Sequence, residues 1–180
     1  MQEQTTVTPP PRPSAGDDGA EFAEWYRREF PDLLLFAHRL GAHWHEAFDL
    51  AQEACAKAFP RWTEIGRPRA YVRVAIRNAY FKKGQPGRES ELGAAGTDTA
   101  SAGDQELLRV EFQDQERAIF AAIRHLPPVQ REIMAWTIDG YTPAEIAELL
   151  GKSPPTVRVN LFKARATLRI ALAGMGSDDG

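Results

Sequence analysis

A chain of 180 residues with a formal net charge of −3 and one cysteine has room for two small domains, each with its own core. One cysteine excludes an internal disulfide and any multi-cysteine metal site, and the mild acidity argues against indiscriminate polyanion binding. The acid is unevenly spread: residues 21–87 hold eleven cations against eight acids and 114–173 hold eight against six, so the excess acid lies in the ends and the middle.

In chain order, residues 1–19 (MQEQTTVTPPPRPSAGDDG) are rich in proline and glycine and predict a disordered tail. They lack the apolar core of a signal peptide, and no run reaches membrane-spanning length, so a soluble cytoplasmic protein is expected. Helical periodicity follows near 20–30, 32–41, 44–59 and 69–83, with breaks expected at Pro31, Gly41, Pro60 and Gly66-Arg67-Pro68. Residues 84–103 (GQPGRESELGAAGTDTASAG) read as a flexible linker. Helices resume near 104–125, 128–139, 143–150 and 154–173, and no segment alternates with a strand's period. The expected fold is all-α: two small helical domains, 20–84 and 105–173, joined by a flexible linker at 85–104, with a disordered tail at 174–180.

The stretch HEAFDLAQEACAKAF, residues 45–59, places Ala47, Leu50, Ala51, Ala54 and Ala58 on one stripe, with Asp49, Gln52, Glu53 and Lys57 elsewhere. Taken alone it is an amphipathic helix, and Cys55 within it reads as a packed core thiol. His38, His43 and His45 with Glu46 invite a metal reading, but they straddle a break at Gly41 and lack ligand spacing, so no metal and no cofactor are expected. Next, GRPRAYVRVAIRNAYFKKGQPGR, residues 66–88, carries seven cations and no acid. Arg69, Arg73 and Arg77 are four apart and share a helix face, where like charges repel unless an anion offsets them. Tyr71, Tyr80 and Phe81 interleave with them, a mixture suited to single-stranded bases and phosphates, although half-buried core tyrosines on a surface helix fit equally well.

Toward the C-terminus, YTPAEIAELLG has Thr142 as N-cap, Pro143 in the first turn, Glu145 to close a capping box and Gly151 as the terminating glycine. GKSPPTVRVNLFKARATLR then starts a helix at Pro154 and Pro155 after the cap Ser153, because proline is tolerated only in a helix's first turn. Val157, Leu161, Ala164 and Leu168 form its buried stripe. Lys152, Arg158, Lys163, Arg165 and Arg169 stand in 149–173 without one acid, whereas a merely solvated helix mixes signs. Helix, glycine turn and basic helix read as a DNA-binding helix-turn-helix.

Together these segments resemble the extracytoplasmic-function group of bacterial sigma factors, over roughly residues 21–83 and 105–172. LPPVQREIMAWTIDGYTPAEIAELLG followed by SPPTVRVNLFKARATLR is similar to that group's region four, which reads the minus-thirty-five promoter element. EFAEWYRREFPDLLLFAHRL, FDLAQEACAKAF and RPRAYVRVAIRNAY are similar to region two, which binds the polymerase clamp and opens the minus-ten element. The resemblance implies core-polymerase contacts at Asp49, Gln52 and Glu53. It implies minus-ten contacts at the loop Trp62, Thr63, Glu64, Ile65, Gly66 and Arg67, and on the helix at Arg69, Arg73, Arg77, Asn78, Lys82 and Lys83. For the minus-thirty-five element it implies base-edge contacts at Pro155, Thr156, Arg158, Val159 and Phe162, and phosphate contacts at Lys152, Ser153, Lys163 and Arg165.

The partners so implied are core RNA polymerase, through its β′ clamp and β flap, and promoter DNA. The resemblance leaves room for an anti-sigma factor, for which the chain shows no readable signature. Departures are Phe48, where an acid usually precedes the Asp-Leu pair, Val159-Asn160 in place of Ser-Arg, and an arginine-rich tail thinned to Lys82-Lys83-Gly84. The expected role is a promoter-specificity subunit without catalysis of its own. A helix-turn-helix regulator that leaves the main sigma factor in place is the alternative, and a helical metalloenzyme a distant third.

Overall fold

The computed structural model describes residues 15–83 and 114–175, and among these every regular element is helical. The first unit comprises α1 (Ala15–Leu40), α2 (Trp44–Ala58), a 3₁₀ helix (Phe59–Glu64) and α3 (Pro68–Lys83). The second comprises α4 (Asp114–Arg124), α5 (Pro128–Ile138), α6 (Pro143–Leu150) and α7 (Pro154–Met175). The linker at 85–104, most of the tail at 1–19 and residues 176–180 lie outside the described residues, whereas 15–19 belong to α1.

The break expected at Pro31 does not occur, and α1 runs through it. Trp25, Glu29, Leu33, Phe36, Ala37 and Leu40 are buried at helical spacing on both sides of the proline, which itself stays exposed. An interior proline costs about 3 kcal/mol, but fully burying a side chain such as Leu33 or Phe36 returns about 1.5–3 kcal/mol, so packing overrides the local signal. The break at Gly41 does occur. Its φ is +118°, and a Cβ there would lie 2.6 Å from the Tyr80 hydroxyl, so both conformation and space call for glycine. α2 then buries Ala47, Leu50, Ala51, Ala54, Cys55 and Ala58, the expected stripe with the cysteine added.

The two units do not keep separate cores. Phe36 of α1 meets the fully buried Trp136 of α5 edge-on at 4.9 Å, and the buried apolar side chains of both units form one continuous cluster. Units of this size bury a modest fraction of their surface alone, and here each large ring completes the burial of the other.

Candidate nucleic-acid interface

In the second unit the local signals set the geometry of the basic helix. Thr142 caps α6 as expected: its backbone N–H donates to Glu145 Oε2 at 2.8 Å, and its hydroxyl accepts from the Glu145 N–H at 3.3 Å. The Thr142 N–H and the Thr142 hydroxyl, which also donates to Oε2 at 2.8 Å, hold the Glu145 carboxyl below the usual carboxylate range. Gly151 closes α6 in the left-handed conformation at φ 61°, and the Lys152 N–H returns to the Ala147 carbonyl at 2.9 Å. Ser153 Oγ accepts from the Thr156 N–H at 3.3 Å, and Pro154 and Pro155 form the first turn of α7.

Val157, Leu161, Ala164 and Leu168 are buried, which turns Pro155, Thr156, Arg158, Val159, Phe162, Lys163, Arg165 and Arg169 outward. Phe162 is 75% exposed, a large ring that none of the described residues covers. Among the described residues no acid pairs with Lys152, Arg158, Lys163, Arg165 or Arg169. A bare cationic face flanked by an exposed aromatic ring and a valine has the chemistry to meet phosphates and thymine methyls.

The α3 row is arranged differently. Arg69, Arg73 and Arg77 do share one face, and the anions that relieve their repulsion come from the chain itself. Arg69 Nε donates to Glu29 of α1 at 2.8 Å, and Arg77 Nε donates to Glu132 of α5 at 2.5 Å. Arg73, with a side chain 0% exposed, donates from Nε to Asp139 beyond α5 and lies 3.7 Å from Glu29. Asp139 also accepts from Arg39 of α1 at 2.7 Å, so one carboxylate joins two arginines of the first unit. Burial draws the Arg39 guanidinium below its ordinary value, and Asp139 beside it pushes back. Arg67 stands 3.7 Å from Glu145 of α6. Minus-ten contacts were expected along this row; Arg73 is enclosed between α1, whose Phe36 ring lies 5.8 Å from its guanidinium carbon, and the second unit, while Arg77 is 29% and Arg69 52% exposed. Arg77 Nη1 also donates to Asn78 Oδ1 at 3.0 Å, and Asn78, Lys82 and Lys83 remain exposed.

Of the loop before α3, Thr63, Glu64, Gly66 and Arg67 are exposed and Ile65 is half-buried. Trp62 is not on the loop's surface. It packs against Phe22 at 5.1 Å and Trp25 at 5.0 Å, inside an aromatic cluster that anchors the 3₁₀ helix to α1. On α2, Asp49, Gln52 and Glu53 are exposed together, with Lys57 Nζ on Glu53 at 2.6 Å. Phe48 turns inward against Phe30, edge-on at 5.5 Å. His38 lies buried, stacked on Trp44 at 3.9 Å with Nδ1 2.8 Å from the Ala42 carbonyl oxygen. Among the described residues no group of three metal-ligating side chains converges, and no helix is long and apolar enough to cross a membrane.

Sequence reasoning passed over Glu29, Glu132, Asp139 and Arg39. A signal existed for two of them. Glu29 sits on the buried stripe of α1, and Glu132 adjoins the apolar run Ile133-Met134-Ala135-Trp136. A carboxylate at a core position needs a buried cation, and α3 offered the cations.

A two-unit helical protein with one open basic face and one covered basic face belongs to the broad class of multi-region nucleic-acid-binding proteins. The description Sigma-70 region 2 matches residues 25–83, and Sigma-70, region 4 matches 116–168. The chain belongs to the sigma-70 family, in its extracytoplasmic-function group. It is 30% identical over 133 residues to a probable RNA polymerase sigma factor, RfaY, of Xanthomonas campestris pv. campestris, covering 67% of this chain and 32% of that protein. The chain thus spans about a third of the length of that relative.

Among solved structures, the sigma factor RpoE of Bartonella quintana, in complex with the anti-sigma factor NepR, aligns with a TM-score of 0.61 at 21% identity, over 85% of this chain and 97% of that one. CnrH, in complex with the cytosolic domain of CnrY, aligns at 0.56 and 20% identity, over 87% and 90%. Both are likenesses of fold.

Proposed function

We propose that this chain is an RNA polymerase sigma factor: it binds core polymerase and directs initiation at particular promoters, with no catalysis of its own. The observation that carries the reading is the division of labour along one chain. A region-two unit exposes Asp49, Gln52 and Glu53 on a helix whose other face is core, and a region-four unit exposes an acid-free basic helix. The first face is assigned to the β′ clamp. Lys152, Ser153, Pro155, Thr156, Arg158, Val159, Phe162, Lys163 and Arg165 are assigned to the minus-thirty-five element, and the region-four unit as a whole to the β flap.

The minus-ten element falls to Thr63, Glu64, Ile65, Arg67, Arg69, Arg73, Arg77, Asn78, Lys82 and Lys83, with Trp62 as the anchor beneath the loop. Action in the cytoplasm follows from this role, because the polymerase is there. An anti-sigma factor is a further partner in this reading, supported by the Bartonella neighbour solved with one.

Run-off transcription tests the reading: core polymerase with the purified chain, on the promoter upstream of its own gene, should give a discrete transcript that core alone does not. A chain that binds promoter DNA yet neither joins core polymerase nor yields that transcript would leave the helix-turn-helix regulator instead.

A further inference from the structure

Phe22, Tyr26 and Phe30 are spaced by four along α1, so they share one face, and each is half-buried. α2 runs across that face in the opposite sense. Phe30 meets Phe48, near the start of α2, edge-on at 5.5 Å, and Phe22 meets Phe59, just past its end, at 4.9 Å. Those two contacts fix the register of the seam between the helices. Tyr26 lies midway between Phe22 and Phe30. Midway between Phe48 and Phe59, one and two turns beyond Phe48 on the facing side of α2, lie Gln52 and Cys55. Tyr26 therefore stands opposite a buried cysteine and an exposed glutamine.

We propose that Tyr26 is a positioning residue for Gln52: its hydroxyl fixes the glutamine side chain in the conformation that core polymerase receives. The inference rests on the assignment of Gln52 to the polymerase clamp.

The surroundings of the hydroxyl agree with the register. Burial raises the Tyr26 phenol above its ordinary value, a hydrogen bond with the Gln52 side chain pulls it back, and nearby Cys55 adds to the rise. The two residues that the register places beside Tyr26 are the two that its hydroxyl senses. The ring is itself held in place. Tyr26 stacks on Phe30 at 4.6 Å with 29° between the planes, and Phe30 in turn takes the edge of Phe48. Phe48, the departure before the Asp-Leu pair, thus buttresses the tyrosine that restrains a contact residue one turn further along α2.

The benefit to binding is preorganisation. A free, exposed glutamine samples several rotamers and loses that freedom on docking. A glutamine already held by Tyr26 loses less, and the difference goes into affinity.

The test uses the full chain as wild type, Tyr26→Phe, Gln52→Ala and the double variant. The readouts are affinity for core polymerase and the side-chain amide resonances of Gln52 in the free chain. Tyr26→Phe keeps the ring and its stacking and removes only the hydroxyl, so the melting transition should stay close to that of the wild type. Core binding should weaken by about two- to tenfold, and the Gln52 resonances should move to the positions of a freely solvated glutamine. In the Gln52→Ala background the same substitution should have no further effect, because the hydroxyl then has nothing to hold. Phe48→Leu should move the Gln52 resonances in the same direction, and resonances that stay put would overturn the buttress.

Wild-type affinity in Tyr26→Phe, or Gln52 resonances that it leaves unmoved, overturns the positioning role. An equal loss with and without Gln52 overturns it too, since Tyr26 would then act on its own account. Wild-type affinity in Gln52→Ala has a different meaning: it removes the clamp assignment, and the positioning role falls with it.

Discussion

At the scale of single residues, charge alone does not say what an arginine does. Arg158 and Arg73 look alike in sequence, each a cation on an amphipathic helix, yet one is exposed and the other fully enclosed. Arg158 stands in the first turns of α7 with its fork open, and a bidentate pair with guanine O6 and N7 gives about 1–3 kcal/mol of discrimination. Arg158→Ala should therefore relax the preference at one or two positions of a randomised minus-thirty-five library. Lys163→Ala should weaken all sequences alike and reduce the salt dependence by about one unit of slope. A uniform loss on Arg158→Ala would make it a phosphate clamp.

Cys55 gives a second residue-scale prediction. Burial pushes its thiol up from 9.0 to about 11, so the folded state favours the neutral thiol. Above the unfolded value the unfolded chain gains by ionising, so this thiol's contribution to stability is full at neutral pH and declines from about pH 8.5 toward 11. Native protein at pH 8 should resist iodoacetamide for hours, and react within minutes once denatured, as followed by intact mass.

At the scale of elements, the helix ends were written locally and the helix middles were not. Thr142 with Glu145, Gly151, and Ser153 with the two prolines all act within four residues of themselves, and each stands in the structure as its neighbours predict. Pro31 is the counter-case, since its local message is overruled by side chains that pack against other elements. Substituting it tests that account. Pro31→Ala restores a backbone donor on an exposed face, at the expense of a stiffer unfolded chain worth about 0.4–1 kcal/mol. A net stabilisation of about 1–2 kcal/mol is expected in urea unfolding, and a loss would show that the proline supports a bend that α1 needs. The partners of the α3 row were illegible for a related reason. Periodicity assigned Arg69, Arg73 and Arg77 to one face, but Asp139 is 66 residues from Arg73, and nothing local reveals what lies across.

At the scale of the whole molecule, two family regions share one apolar cluster and one ion-pair network, yet their outward faces remain separate. The α2 face is distant in role from the covered α3 row, so it is open to direct test. Gln52→Ala with Glu53→Ala should leave the melting transition nearly unmoved, since surface substitutions shift stability by less than about 0.5 kcal/mol, while affinity for core polymerase falls sharply. Unchanged affinity would remove these residues from the interface.

The contact between the units, an apolar cluster with ion pairs beside it, also has a consequence for concentration. Residues 84–113 join the two units covalently, so each meets the other at a fixed effective concentration, on the order of millimolar for short connections, however dilute the protein. Even an association too weak to survive between separate polypeptides at micromolar levels would then persist in the intact chain. Dilution will not release it. Cutting the backbone once, at a protease site placed within 84–113, should convert a dilution-proof molecule into a pair of fragments that part on a sizing column at micromolar concentration.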